Sequence, residues 1–168
     1  MADLQSGPFL AEDKEFSRGI NLLISILLLY PDINFVKMDY NKKSLHFSFM
    51  LKGLLTEKNR DSLSHQLTTS LKFLKQLHSS ELKGFNLNFH RHDKQFTQVE
   101  LVRDLTNLDA RELAMVVGFF QQHFPGKLLS ESNGGLDEEE IIRQEEQIDK
   151  CISDLRVVPE TEDLIGFR

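Results

Sequence analysis

An apolar run of eleven residues, Ile20–Tyr30, constrains the fold of this chain more than any other stretch. Its two polar members, Asn21 and Ser25, are four residues apart and would share one narrow face of a helix. A helix that is apolar over the rest of its surface has to be covered on more than one side. Pro31 disfavours helical geometry in the residue before it. We therefore expect a buried helix that ends near Tyr30 and lies at the centre of the domain.

Two stretches alternate apolar and polar residues with the period of two that a β-strand shows. The first hairpin is predicted over 33–52, and its second strand has the clearest pattern, with Leu45, Phe47, Phe49 and Leu51 on one side. The second hairpin is predicted to begin at Phe85 and to end near Leu101. Helix and hairpin thus occur twice in the same order. An internal duplication and two unrelated hairpins of similar length both explain this pattern, because few residues are identical between the halves.

The remaining helices of the body have capping signals at their ends. Thr56 is placed to cap the second helix, and Asp109 with Glu112 has the spacing of a capping box at the third. Pro125 and Gly126 end the third helix. The predicted fold class is α+β, in the order αββαββα, with three helices on a four-stranded and mainly antiparallel sheet.

The charge of the chain is unevenly distributed. Residues 1–125 contain 15 Lys and Arg against 14 Asp and Glu, a net charge of +1, whereas residues 126–168 contain 5 against 12, a net charge of −7. The two values add to the net charge of −6 for the 168 residues. We predict an α+β core domain at 1–126, a flexible linker at 127–136 and an acidic C-terminal helix and tail at 137–168.

The predicted C-terminal helix has a narrow apolar stripe in a charged surface. The stripe consists of Ile141, Ile148, Ile152 and Leu155. A helix of this length and charge is not stable alone in water, so it must dock on something. It either folds back on its own domain or lies in a groove of another protein or a second copy. The leading hypothesis is accordingly a non-enzymatic protein–protein interaction or regulatory module that self-associates, as a homodimer.

Three histidines suggest a metal site. His90 and His92 are two residues apart on one predicted strand and point to the same side. His46 falls on the same open face if the two hairpins are neighbours, and three imidazoles can bind a divalent metal. The alternative is an ordinary polar hairpin turn. No cofactor is predicted.

Four basic residues in the two hairpin turns suggest nucleic-acid binding as the alternative function. They are Lys42 and Lys43 in the first turn and Arg91 and Lys94 in the second. Against this hypothesis, the open sheet face has mixed charges and offers no aromatic ring for stacking bases.

An enzyme with an unrecognised site is the third alternative. The sequence contains no nucleophile-elbow, phosphate-loop, dinucleotide-binding or zinc-protease motif. Cys151 lies among acidic residues, which raise the pKa of a thiol and favour a packing role. Acidic residues precede Ile20–Tyr30, this apolar run is short, and the chain has a single cysteine. From these features we predict a soluble, cytoplasmic protein with no membrane partner.

Overall fold

The order of helices and strands agrees with the prediction, with one strand added near the end of the chain. The computed structural model describes residues 8–131, 135–156 and 164–167, and the side chains of 17–131 and 135–156. In chain order the elements are helix α1 (Pro8–Leu29), strands β1 (Phe35–Asp39) and β2 (Ser44–Lys52), helix α2 (Glu57–Leu77), strands β3 (Phe85–His92) and β4 (Phe96–Asp104), helices α3 (Ala110–His123) and α4 (Glu138–Leu155), and strand β5 (Leu164–Phe167). The α+β class and the order αββαββα are confirmed.

The strands form one antiparallel sheet in the order β3-β4-β2-β1-β5. The four predicted strands are neighbours in this sheet, in the order β3-β4-β2-β1. The fifth strand pairs with β1, with Ile165 opposite Lys37. A strand of four residues is too short to show a clear alternation, which is why β5 was not predicted as a strand.

The apolar side of each hairpin faces the helices. Phe47 and Phe49 of β2 and Val99 and Leu101 of β4 are fully buried. The ring of Phe49 stacks on that of Phe120 in α3, with their centroids 4.1 Å apart. The core is therefore assembled from the period-two positions that the sequence shows, and burial of each such side chain stabilises the fold by about 2 kcal/mol.

Helix α1 begins at Pro8, twelve residues before the apolar run, and proline is favourable at the first helical position. Leu22 and Ile26 are completely buried, in agreement with a central helix, but Ile24 and Leu28 are 49% and 46% exposed. The helix is thus covered on its inner side and not all round. Within the described ranges, no helix combines the length and the apolar character needed to cross a bilayer.

Helix α4 packs on α1 and on the start of α3. Asp154 lies 3.6 Å from the guanidinium of Arg18, and Asp149 Oδ1 accepts a hydrogen bond of 2.8 Å from the backbone N–H of Ala110. The side chains that α4 buries belong to the same apolar core as those of the sheet. The division of the chain into a core domain, a linker and a tail stays a prediction.

The first half of the predicted linker is attached to the sheet. The N–H of Lys52 donates to Lys127 O at 2.8 Å, and the N–H of Leu129 donates to Met50 O at 2.9 Å. Residues 127–129 therefore lie beside β2 at its C-terminal end, which extends past the start of β1. The predicted linker residues 132–134 lie outside the described residues.

Candidate functional site

The predicted partner-binding stripe of α4 lies mostly inside the protein. Ile148, Ile152 and Leu155 are at most 2% exposed, and Ile141 is half-buried. These side chains are covered by the chain's own helices. In this conformation the stripe is not accessible to a second protein, and its partner-binding role stays a prediction that requires α4 to leave the domain.

The C-terminal end of α4 is held by backbone carbonyls. The Arg156 guanidinium donates to Leu105 O at 2.7 Å and to Leu108 O at 2.8 Å. Lys43 Nζ donates to Arg156 O at 3.0 Å. Burial, and secondarily the charge of Asp154, raises the pKa of the Cys151 thiol, so this cysteine has the character of a packing residue.

The three histidines of the metal hypothesis lie on the open face of the sheet but have separate partners. Glu100 lies between two of them, with Oε2 3.7 Å from His46 Nδ1 and Oε1 4.0 Å from His90 Nε2. His92 Nε2 is 2.7 Å from Gln98 Oε1. Among the described residues, no group of three or more His, Cys, Asp or Glu side chains is placed to hold a metal ion. The histidines are members of a polar network instead.

The four basic residues of the nucleic-acid hypothesis are not brought together. Strands β2 and β4 run antiparallel over nine residue pairs, from Ser44 opposite Asp104 to Lys52 opposite Phe96. The two hairpin turns therefore lie at opposite ends of the sheet, about 27 Å apart. The set divides into Lys42 and Lys43 at one end and Arg91 and Lys94 at the other.

A buried ion cluster that the sequence did not suggest joins the sheet to α2 and α3. Arg103 and Glu112 are fully buried, and the Lys75 side chain is 7% exposed. Glu112 accepts hydrogen bonds from Arg103 Nε and, at 2.8 Å, from Arg103 Nη2, and its Oε1 lies 3.0 Å from Lys75 Nζ. The other donors of Arg103 bind backbone carbonyls, among them those of Lys83 and Gly84. Because all five donors have acceptors, we interpret the cluster as structural.

The cluster fixes the point where β3 begins. Lys83 and Gly84 immediately precede this strand, and the Gly84 carbonyl accepts hydrogen bonds from Arg103 Nη1 at 3.1 Å and from the N–H of Asp104 at 3.0 Å. Gly84 has a φ of +61°, and a Cβ atom at this position would overlap the Cβ of Asp104. The entry into β3 is thus rigid and requires glycine.

Strand β3 is the candidate functional site, because it is an edge strand of eight residues, whereas β5, the other edge strand of the described sheet, has only four. The Gly84–Asp104 hydrogen bond sets the ladder, since bonded and non-bonded pairs alternate in antiparallel strands. By this alternation, the backbone groups of Phe85, Leu87 and Phe89 point away from β4, towards the open edge. These groups form a ready template for another strand.

The edge has few of the usual protections against strand pairing. Natural edge strands are short or bulged, or contain lysine or proline. Strand β3 is eight residues long and regular in register, and its sequence contains neither residue. The side chains of Phe85, Leu87 and Phe89 are only half-buried, because they lie at the rim of the helix layer.

Two separate clefts lie near the ends of α2. One lies before the start of β3 and is lined by Lys72, Gln76 and Leu82. The other lies beside the second half of β3, has a volume of about 50 Å³, and includes Arg60 and Arg91 in its lining. The N-terminal part of α2 therefore lies close to the end of β3.

The sequence does contain a signal for this site. Residues 85–89 read Phe-Asn-Leu-Asn-Phe, which is the same in both directions. The alternation was sufficient to predict the strand, but the order of strands in the sheet, which makes β3 an edge, is not encoded in the local pattern.

No family model, no curated protein and no solved structure matches this chain.

Proposed function

We propose that this protein is a non-enzymatic protein-binding module and that it binds by adding an extended segment to the outer edge of β3. The single observation that supports this most directly is the row of outward-pointing backbone groups at Phe85, Leu87 and Phe89. Strand addition takes its affinity from such main-chain hydrogen bonds and its specificity from pockets for alternate side chains.

The two faces of an added strand would meet different surfaces. Every second side chain would lie beside Phe85, Leu87 and Phe89, under the rim of α2, where half-buried apolar side chains can be covered. The others would lie beside Asn88 and His90 on the open, polar face. A segment with alternating apolar and polar residues fits this edge.

The polar groups elsewhere in the chain support a binding role over a catalytic one. The buried ion cluster commits Arg103, Glu112 and Lys75 to one another and to backbone carbonyls. The cysteine, Cys151, is buried, and its pKa is raised. A single free thiol is also the basis on which we propose a reducing, cytoplasmic location.

The test is a selection of random twelve-residue peptides displayed on phage against the immobilised full-length chain. Selected peptides are then synthesised and titrated by fluorescence anisotropy against wild type, Leu87→Pro and Leu87→Val. Proline removes the outward N–H of residue 87 and leaves the hydrogen bonds of Asn86 and Asn88 to β4 in place, whereas valine keeps the N–H. We expect affinity to fall by about tenfold or more for the proline variant and to change little for the valine variant.

Amide hydrogen exchange of the wild-type chain provides a readout that does not depend on the proline variant folding. Peptide should slow the exchange of the amides of Phe85, Leu87 and Phe89, whose N–H groups point outwards. The amides of Asn86 and Asn88, already bonded to β4, should change little. Equal affinity for the proline and valine variants, or protection at a different part of the chain, would contradict the proposal.

A further inference from the structure

We infer that the segment that docks on β3 is the β3 strand of a second copy of this chain. The inference rests on the proposed strand addition and adds the identity of the partner. The two strands run antiparallel about a two-fold axis at Leu87, so that two five-stranded sheets join into one. An isologous interface of this kind uses the same surface on both copies.

The palindrome at 85–89 makes this edge complementary to itself. With the axis at Leu87, that residue faces its own copy, Phe85 faces the copy of Phe89, and Asn86 faces the copy of Asn88. Like side chains thus meet across the strands on both faces, and the Phe85–Phe89 pair is of the aromatic kind that stabilises antiparallel sheets. The outward backbone groups of the three apolar residues form about six hydrogen bonds in this register.

Neighbouring registers are less favourable. Moving the axis to Asn86 leaves Phe89 beyond the start of the partner's strand, and moving it to Asn88 places Phe85 opposite the partner's Arg91. Each shift leaves one aromatic side chain without an apolar partner. The register at Leu87 is the one in which all three apolar side chains face apolar partners.

Helix α2 offers a second, independent complementarity. Lys72 lines the cleft next to Leu82, which places it on the side of α2 that faces the start of β3. Asp61 lies eleven residues earlier and therefore on the same face of the helix. Neither side chain has an ion-pair partner within the part of the chain that the structure describes.

A two-fold axis beside β3 brings the two α2 helices next to each other in opposite directions. Asp61 of one copy then lies near Lys72 of the other, and the pair occurs twice. Paired strands alone bury too little surface for a stable dimer, which needs roughly 800 Å² on each partner. The facing helices supply the remaining contact area above the sheet.

Sedimentation velocity of the full-length chain tests the inference. Wild type and Leu87→Val should form a dimer that dissociates on dilution in the micromolar range, whereas Leu87→Pro should remain monomeric. Asp61→Lys should weaken the dimer by about fivefold or more, and the double change Asp61→Lys with Lys72→Asp should restore it.

Cysteine cross-linking in a Cys151→Ser background tests the register. Asn86→Cys and Asn88→Cys chains should form a disulfide when mixed, because these positions face each other across the axis. Neither chain should cross-link with itself, since like positions are diagonal and about 8 Å apart, beyond disulfide reach. This result does not depend on the proline variant folding.

The outcomes separate this inference from the proposed function. A wild-type chain that stays monomeric while its β3 edge binds selected peptides overturns the second copy as partner and retains strand addition. A dimer that survives Leu87→Pro with its fold intact, or that cross-links through like positions, overturns the inference in favour of another interface or register. A monomer in which no selected peptide protects β3 overturns both.

Discussion

The two edges of the sheet are finished in different ways. On one side, β1 is paired on both of its edges, with β2 and with β5, and Val36 and Met38 are completely buried. On the other side, β3 pairs with β4 alone, and the matching apolar side chains are only half-buried. The edge strand on the first side is thus β5, which has four residues, whereas the edge strand on the second side is β3, which has eight.

The two hairpins therefore have different roles in the molecule, although their sequence patterns are similar. The first hairpin lies inside the sheet and contributes to the core. In the second hairpin, β3 is an edge strand of the sheet. A buried ion cluster fixes the point where this strand begins. Rigid anchoring of a strand that lacks a neighbour favours a binding surface, because a preorganised edge loses little entropy when another strand arrives.

The largest expected effect comes from breaking the anchor of β3. Glu112→Leu leaves the charges of Arg103 and Lys75 buried without their carboxylate, which should lower the free energy of unfolding by about 4 kcal/mol. Urea denaturation followed by circular dichroism measures the change. The control is Glu139→Gln on the exposed side of α4, expected to change stability by less than about 0.5 kcal/mol. Similar values for both variants would contradict a structural role for the cluster.

The free energy of unfolding should respond nearly as strongly to a change in the buried face of α4. Ile148 is completely buried, whereas Ile142 on the same helix is 54% exposed. Ile148→Ala should lower the free energy of unfolding by about 3 kcal/mol, and Ile142→Ala by less than about 1 kcal/mol. Labelling of Cys151 by a thiol reagent provides a second measurement, because the thiol reacts only when α4 opens. Rapid labelling of the native protein would show that α4 does not remain docked.

Amide exchange should distinguish β3 from β1 in the monomeric state. In Leu87→Pro, the outward amides of Phe85 and Phe89 have no acceptor, while β1 is bonded on both sides. We expect these two amides to exchange at least about tenfold faster than those of β1. Nuclear magnetic resonance measures the rates residue by residue. Equal protection of β1 and β3 in the variant would mean that the β3 edge is covered within the chain itself.

The smallest effect concerns Asp109, which caps α3 beside the ion cluster. Burial alone would raise its pKa, but the hydrogen bond from the Glu112 N–H, and then the charges of Lys75 and Arg111, outweigh it and hold the pKa below its ordinary value. The ionised carboxylate therefore stabilises the fold above about pH 4, and this contribution is lost as the pH falls through the folded-state pKa. Asp109→Asn should cost about 0.5 kcal/mol at neutral pH. Urea titrations at several pH values should show the difference vanish in acid, and a difference that grows in acid would contradict this sign.

Much of the fold could be predicted from local patterns, because each element has its own signal. The caps at Thr56 and Asp109 both accept the expected backbone hydrogen bond. The alternation in β2 defines the buried face of the sheet. These features depend on residues within one turn or one strand of each other.

The candidate site could not be predicted in the same way, since it depends on distant parts of the chain. That β3 is an edge follows from the pairing of β2 with β4, and that β1 is not an edge follows from β5. Arg103 continues the inward-facing alternation of Thr97, Val99 and Leu101. Its position in this alternation predicts that its charged side chain is buried. Its partners come from three other segments, which no local pattern identifies.

Gly84 has a consequence for how this protein tolerates mutation. Its positive φ and the closeness of Asp104 leave no room for any side chain at the entrance to β3. In a saturation library sorted for folded chains, position 84 would retain glycine alone. Asn86 and Asn88, on the exposed face just beyond it, would accept many residues in the same library, and only a second sort for assembly would narrow their choice.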